Sequence, residues 1–310
     1  MYNPCTRIDL QVDLHQNQAP ILQQAYLEVR DLLLEGKSRA TKPGYTVFTH
    51  NGVSLNRVAH ISTLPGDSLI LGRHSRCDIV LPDDPSISLR HLLLRTQQSE
   101  EGPLSFEMLS LQAPLDLKLA DGSLVASLQG EGIIAAQLGK YSIIAMPSDL
   151  IPNDLPSALP GIQTLGSGPA DQSIEATAIS RVKARKNPSH ASVLPLSAKD
   201  AVGRVTIQAQ GSESTLWLSK AQLQQGVVIG RYTRCAGGAI RGLFDDVVSR
   251  THLLLCTEAG IPVAYDLASR NGVWRSGRRI RIATLTGPMT LSLGKKQRVL
   301  VNWEPTPFPS

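Results

Sequence analysis

The chain has 310 residues, carries 31 Lys and Arg against 26 Asp and Glu, and has a formal net charge of +5 at pH 7. Hydrophobic residues make up 42% and charged residues 18%, so a highly charged, fully disordered chain is excluded. The small positive excess permits an anionic partner but does not indicate a nucleic-acid surface, and we expect no nucleic-acid partner.

The N-terminal segment, residues 1–44, predicts one short helix at about 19–35. Apolar residues recur there at helical spacing, Pro20 suits the first turn and Gly36 marks the end. We expect this helix to pack on the neighbouring domain; a helix that binds a partner protein is the alternative. The start of the chain lacks a basic stretch followed by an apolar one, and no apolar run approaches the roughly 20 residues that span a bilayer. We therefore expect a cytoplasmic protein with no membrane partner.

Short aliphatic segments separated by Gly, Asp and Pro predict β-strands in two stretches, 45–147 and 203–305. Segments such as DSLILG and HLLLR in the first stretch, and GVVIG and HLLLC in the second, have strand length, and their spacing is typical of an all-β sandwich. Between them, residues 148–202 are rich in proline and then carry the basic cluster RVKARK, which predicts a semi-extended linker. Residues 306–310 form a tail.

The cysteines and histidines show no metal-binding or redox pattern. Cys5, Cys77, Cys235 and Cys256 are far apart and form no CxxC pair, so we predict no metal and no cofactor. Cys256 follows three leucines and is predicted to be a buried thiol rather than a reactive one. No second His or Cys lies at ligand spacing from His252, which favours a structural histidine over a catalytic one.

The sequence contains an internal repeat. GRHSRC, beginning at Gly72, matches GRYTRC, beginning at Gly230, and each copy follows a short aliphatic strand. Each is followed at a similar distance by HLLL, beginning at His91 in the first copy and at His252 in the second. Two copies this far apart indicate a duplicated domain rather than a solenoid.

The second copy carries a fuller constellation of polar residues at strand-to-loop junctions. They lie in three short segments: Gly230-Arg231, Ser249-Arg250-Thr251-His252 and Ser269-Arg270-Asn271-Gly272. Such junctions cluster at one end of a sandwich. Arginines, a hydroxyl and an amide suit a phosphate and an extended peptide backbone, and no acid or general base accompanies them. The pattern therefore predicts binding of a phosphorylated peptide without catalysis, and we expect no enzyme.

In their order and spacing, G-R, S-R-x-H and S-x-N-G resemble the forkhead-associated (FHA) domain over roughly residues 203–304. The resemblance implies an all-β fold: two FHA-like β-sandwich domains with a short N-terminal helix and a Pro-rich linker. It also implies recognition of phosphothreonine. The implied phosphopeptide-binding residues are Arg231, Ser249, Arg250, Arg270 and Asn271, and the implied structural supports are Gly230, His252 and Gly272.

Two departures from the family pattern stand out. Residues 236–244, AGGAIRGLF, replace the D-I-x-L strand that the family usually shows, so the preferred sequence around the phosphothreonine is open. The first copy keeps Arg73, Ser88 and His91 but has Leu89 where the second has arginine, and no Asn-Gly follows its next strand. We therefore expect a degenerate first site, mainly structural.

These features predict a non-enzymatic adaptor or scaffold that binds phosphothreonine-containing proteins through the second copy, downstream of a Ser/Thr kinase. The alternative is a structural or assembly protein that uses the FHA scaffold for phosphate-independent contact. Thr164 and Thr177 lie in the linker, and either is a candidate for phosphorylation and docking onto the second copy.

Overall fold

The structure, a computed structural model of the chain, describes eleven stretches of it: residues 19–35, 42–64, 66–98, 103–111, 116–150, 155–159, 163–164, 181–185, 201–231, 235 and 247–306. The predictions for Cys5, Thr177 and the loop 236–244 fall outside these residues. Within them the predicted all-β fold with a short N-terminal helix is confirmed.

Helix α1 (Ala19–Leu34) covers the outer face of a sheet, as the predicted packing requires. Leu22, Tyr26 and Val29 lie on one face at helical spacing and are almost fully buried. They form a cluster with sheet residues such as Phe48 and Ile144. The apolar face of α1 is therefore buried against the sheet and is not exposed to a partner protein.

The first copy of the repeat lies in a β-sandwich, named here the first sandwich. Its strands are β1 (Gly44–His50), β2 (Leu55–Ser62), β3 (Ser68–Gly72), β4 (Ile79–Val80), β5 (Leu92–Gln98), β6 (Leu104–Ser110), β7 (Leu117–Lys118), β8 (Leu124–Val125), β9 (Ser127–Gly130), β10 (Ile134–Leu138) and β11 (Tyr141–Pro147). One sheet has the order β2-β1-β11-β10-β7-β8, and the other contains β9-β6-β5-β3-β4. A buried aliphatic core that draws on both sheets fills the space between them.

Two strands lie in the stretch predicted to be a linker. They are β12 (Gln163–Thr164) and β13 (Arg181–Arg185). β13 pairs antiparallel with β9, and β12 pairs parallel with β13, so both extend a sheet of the first sandwich. Leu155 is buried in the cluster that α1 forms with the sheet, and the Pro156 carbonyl accepts a hydrogen bond from Tyr26 of α1 at 2.7 Å. The interpretation of 148–202 as a semi-extended linker missed these pairings, because an exposed sheet edge can recruit strands of low hydrophobicity.

The second copy of the repeat lies in a second sandwich. Its elements are β14 (Gly203–Ala209), β15 (Ser212–Leu218), α2 (Lys220–Gln225), β16 (Val227–Ile229), β17 (Leu253–Glu258), β18 (Ile261–Asp266), β19 (Val273–Arg275), β20 (Arg278–Ile280), β21 (Ile282–Thr284), β22 (Met289–Leu293) and β23 (Val299–Pro305). The sheets have the orders β15-β14-β23-β22-β19-β20 and β16-β17-β18-β21. Helix α2 was not predicted; Ser219 caps it in a capping box with Gln222.

The two sandwiches pack against each other through one sheet of each. On β5, Leu92 and Leu94 face the core of the first sandwich, whereas Leu93 faces the second sandwich. On β17, the equivalent Leu254 faces the first sandwich in the same buried cluster. Because both faces of each strand are covered, three successive leucines are buried in each copy.

Polar contacts cross the same interface. Arg281 Nη2 donates to the Ser68 carbonyl and to Asp78 Oδ2, each at 2.6 Å. Arg95 is 1% exposed, is paired with Glu107 at 2.7 Å and donates to Cys256 Sγ at 3.1 Å. Cys256 is fully buried, and burial raises the pKa of its thiol to about 11, which confirms the predicted inert thiol. Together the apolar cluster and these contacts fix how the two sandwiches are oriented.

Candidate functional site

Arg231 begins the loop that follows β16, and backbone geometry there requires the preceding glycine. A Cβ on Gly230 would lie nearer than 3.0 Å to the carbonyl oxygen of Arg250. That close approach lets Arg231 donate its backbone N–H to the Ser249 carbonyl at 3.0 Å. Its Nε also donates to the Val248 carbonyl at 2.7 Å. The exposed arginine is therefore held at two points on the serine loop.

His252 braces the serine loop from within. The Ser249 backbone N–H donates to His252 Nδ1 at 3.0 Å, and His252 Nε2 donates to the Gly272 carbonyl at 3.1 Å. These partners require the neutral ring with its hydrogen on Nε2. Burial, the main cause, lowers the pKa of His252 to about 4, which keeps the ring neutral at pH 7.

The third loop is joined to the second by side chains. Ser249 Oγ accepts from the Arg270 backbone N–H at 2.9 Å, so the serine hydroxyl keeps its own hydrogen for another acceptor. Asn271 Nδ2 donates to the Val247 carbonyl at 2.7 Å. Gly272 has a φ of +76°, the left-handed region that glycine adopts without strain. The structure therefore brings together the loops that carry Arg231, Ser249 and Asn271.

Arg250 and Arg270 are exposed at the cleft. Within the described parts of the chain, neither guanidinium group has a hydrogen-bond or ion-pair partner. Both line a cleft of about 340 Å³ together with Arg231 and Ser249. Asn271 is not part of the cleft lining and contacts the serine loop from behind.

The first copy has the same inner bracing. Arg73 donates its backbone N–H to the Ser88 carbonyl at 3.0 Å and its Nε to the Ile87 carbonyl at 2.5 Å. The Ser88 backbone N–H donates to His91 Nδ1 at 2.9 Å. His91 Nε2 donates to Asp116 Oδ2 at 2.5 Å, where the second copy uses a backbone carbonyl. The expected degenerate site thus keeps its arginine and serine in place.

The two sets of loops line one cleft. Arg73, Ser88 and Arg90 of the first copy form its opposite wall. His74 also lines it, and its pKa is lowered, mainly by burial and further by the positive charges of Arg90 and Arg76. The site of the second copy is therefore not an isolated loop tip but half of a cationic cleft between the sandwiches.

Two arginines of the first copy hold the Asn-bearing loop of the second, and sequence reasoning missed both. Arg90 donates through Nε and Nη2 to the Ala268 carbonyl at 3.0 and 2.5 Å. Arg76 Nη1 donates to the carbonyls of Ser269 and Arg270 at 3.3 and 2.5 Å. One sequence signal was available for Arg76, because it is an identity within the repeated GRxxRC. No such signal was available for Arg90, because the equivalent residue of the second copy is Thr251.

Two further features of the described residues concern metal binding and membranes. Among the described residues, no group of three or more His, Cys, Asp or Glu is arranged to hold a metal ion. None of the helices in the described parts of the chain is long and apolar enough to cross a membrane.

Comparison with known proteins identifies one family match. The FHA domain family model matches residues 69–110, which belong to the first copy. No curated protein matches the chain in sequence. The interpretation of the second copy as the fuller one, and of the first as degenerate, stays a prediction.

Solved FHA-domain structures are among those that resemble the chain. The Rv1747 FHA-1 domain of Mycobacterium tuberculosis is 26% identical with a TM-score of 0.27, over 34% of this chain and 100% of that one. The FHA domain of Chlamydia trachomatis CT664 is 21% identical with a TM-score of 0.28, over 34% and 98%. M. tuberculosis EmbR, solved with a low-affinity phosphopeptide, is 21% identical with a TM-score of 0.27, over 36% of this chain and 26% of that one.

Proposed function

We propose that the protein is a non-enzymatic adaptor whose second copy binds phosphothreonine-containing peptides through Arg231, Ser249 and Asn271. The observation that carries the proposal is convergence: the three residues come from separate loops that hydrogen bonds join to one another, and Arg231 and Ser249 line the cleft. The FHA match over 69–110 supports the coarser statement that the chain carries a phosphopeptide-binding type of module.

The available donors suit a phosphate group. Ser249 retains a hydroxyl hydrogen, and the exposed guanidinium groups of Arg250 and Arg270 face the cleft. A phosphorylated side chain carries about −1.5 to −2 charges and three acceptor oxygens. Each hydrogen bond to a charged group contributes about 1.5–3 kcal/mol, so three contacts less the cost of ordering a peptide give an affinity of about 1 μM.

The cleft supports binding rather than cleavage. Among the described residues that line it there is no Asp, Glu or Cys. The histidine that lines it, His74, already accepts a hydrogen bond at Nδ1 from the Arg76 backbone N–H at 3.0 Å. The histidine of the motif, His252, is 0% exposed, and both of its ring nitrogens are hydrogen-bonded within the site. This arrangement supports the non-enzymatic part of the proposal.

A phosphate-independent assembly role is the second candidate. It is favoured by the buried cluster between the sandwiches, where the FHA-type scaffold already serves as a protein-contact surface. The two candidates differ in one respect that can be measured, namely whether a partner remains bound after phosphatase treatment.

The cellular context of the proposal is a Ser/Thr kinase acting upstream in the cytoplasm. The protein's own linker is a further candidate ligand. Thr164 lies in β12, paired with Val182 of β13, so docking of a phosphorylated Thr164 onto the second copy requires release of β12 from the sheet. Mass spectrometry of the protein from its native cell tests this, and two unmodified linker threonines would remove the idea.

Replacing Arg231 with alanine is expected to weaken phosphothreonine-peptide binding by about tenfold or more, because one hydrogen bond to a charged group contributes about 1.5–3 kcal/mol. The measurement is calorimetry with a peptide selected from a phosphothreonine library and its unphosphorylated form. Arg278→Ala is the matched control, since Arg278 is exposed on β20 and outside the cleft. Equal affinity of the wild-type protein for the two peptides would refute the proposal.

A further inference from the structure

Each copy contributes to the cleft an equivalent set of one arginine and one serine. Arg73 and Ser88 occupy in the first copy the places that Arg231 and Ser249 occupy in the second, and all four line the same cleft of about 340 Å³. The bonds that position each set are the same: the arginine N–H to the serine carbonyl, and its Nε to the carbonyl of the residue before the serine. The first copy therefore presents to the cleft the same arginine and serine pair as the second.

The distance between the two sets is fixed by the interface. The buried cluster that includes Leu93 and Leu254 lies between the sandwiches, and Arg90 is hydrogen-bonded across it to the Ala268 carbonyl. Separating the sets would expose that apolar surface to water. A ligand that reaches both sets therefore meets a preorganised pair, which avoids the ordering cost that two flexibly tethered domains would impose.

The charge of the cleft exceeds that of one phosphate. The described residues that line it include five arginines, Arg73, Arg90, Arg231, Arg250 and Arg270, and no Asp or Glu. One phosphorylated residue supplies about −1.5 to −2 charges and two supply about −3 to −4. The charge of two phosphorylated residues is therefore nearer to that of the arginines lining the cleft than the charge of one.

We propose that the cleft binds one peptide carrying two phosphorylated residues, with one phosphate at Arg231 and Ser249 and the other at Arg73 and Ser88. This inference rests on the proposed function of the second copy. A nucleic acid, the other polyanion with spaced phosphates, fits less well. No Phe, Tyr or Trp is among the described residues that line the cleft, so bases have no stacking surface there.

Calorimetry on the full chain tests the proposal with peptides of one sequence that carry no, one or two phosphothreonines. The doubly phosphorylated series spaces its phosphates about one to six residues apart, which covers spans of about 3–20 Å in an extended chain. At one spacing we expect binding about tenfold or more tighter than for either singly phosphorylated peptide, with one peptide per protein. Arg73→Ala and, separately, Ser88→Ala should remove that gain, so that the doubly phosphorylated peptide binds no more tightly than a singly phosphorylated one. Arg278→Ala, outside the cleft, should leave the gain in place.

The outcomes separate this inference from the proposed function. If no doubly phosphorylated peptide binds more tightly than the singly phosphorylated ones, or if two peptides bind per protein, the two-phosphate cleft is wrong and the single site of the second copy stands. If one phosphate gives no gain over none, the proposed function itself fails. Tighter binding of a DNA oligonucleotide than of every peptide would overturn both. Thermal unfolding of each variant shows whether a lost gain reflects a lost fold.

Discussion

In the first copy, the Ser88 backbone N–H donates to His91, and the equivalent serine of the second copy donates to its histidine in the same way. The next residue differs, since it is Leu89 in the first copy and Arg250 in the second, and both side chains are exposed beside the cleft. The hydrogen bonds that hold this serine are thus the same whichever residue follows it. Loss of a flanking arginine in a sequence is therefore weak evidence that a site has been lost.

The copies also differ in the group to which the histidine Nε2 donates. His91 donates to the carboxylate of Asp116, whereas His252 donates to a backbone carbonyl of the Asn-bearing loop. In the second copy the histidine therefore couples the serine loop to the loop that contains Asn271. The following predictions test the contacts that each copy makes, within itself or with the other copy.

The largest expected effect concerns the equivalent positions Arg95 on β5 and Cys256 on β17, which meet at the interface. Arg95→Met should lower the free energy of unfolding by about 3–5 kcal/mol, because it leaves the Glu107 carboxylate buried without its partner. Urea unfolding measures the loss. Adding Glu107→Gln removes the uncompensated charge and should recover much of it. A single variant as stable as wild type would mean that the pair does not hold the interface.

The next effect is that His252 makes the free energy of unfolding depend on pH. Its pKa is about 4 in the folded protein and near 6.5 when unfolded, so the unfolded chain binds more protons between these values. The contribution of neutral His252 to the free energy of unfolding is therefore fully present above pH 6.5. It declines as the pH falls towards 4, by on the order of 3 kcal/mol in total. Urea unfolding between pH 7 and pH 4.5 measures the slope.

The control for that slope is His252→Asn, whose amide oxygen replaces Nδ1 as an acceptor for the Ser249 N–H but does not titrate. Its unfolding free energy should depend less on pH than that of wild type across the same range. Parallel slopes for the two proteins would show that other groups, such as carboxylates, account for the acid sensitivity.

The sequence was sufficient for the all-β architecture with its N-terminal helix, but not for the relation between the two copies. Alternation of apolar residues predicts a strand with one buried face. The three leucines after His91 and after His252 break that alternation, which is the pattern of a strand buried on both faces. That signal was interpreted only as a buried strand, although it also indicates that another sheet covers the outer face.

The linker strands and the interface arginines were less accessible to sequence reasoning. β13 is basic and short, and its pairing with β9 depends on an edge that only the folded sheet provides. Arg90 appears in sequence as an ordinary surface cation, yet it is 5% exposed because the second sandwich covers it. Long-range contacts of this kind depend on the orientation of the sandwiches, which no local pattern encodes.

The smallest expected effect tests whether the first copy positions the second site. Arg76 donates to the carbonyls of Ser269 and Arg270 but does not line the cleft. Arg76→Ala should therefore weaken binding of a singly phosphorylated peptide by about two- to fivefold, within the about 0.5–1.5 kcal/mol of a typical hydrogen bond, and should speed amide hydrogen exchange at Arg270 and Asn271. Arg76→Lys keeps the charge and loses the planar fork that reaches both carbonyls. If the lysine variant binds and exchanges like wild type, Arg76 acts only through its charge. If it resembles the alanine variant, the first copy holds the Asn-bearing loop in place.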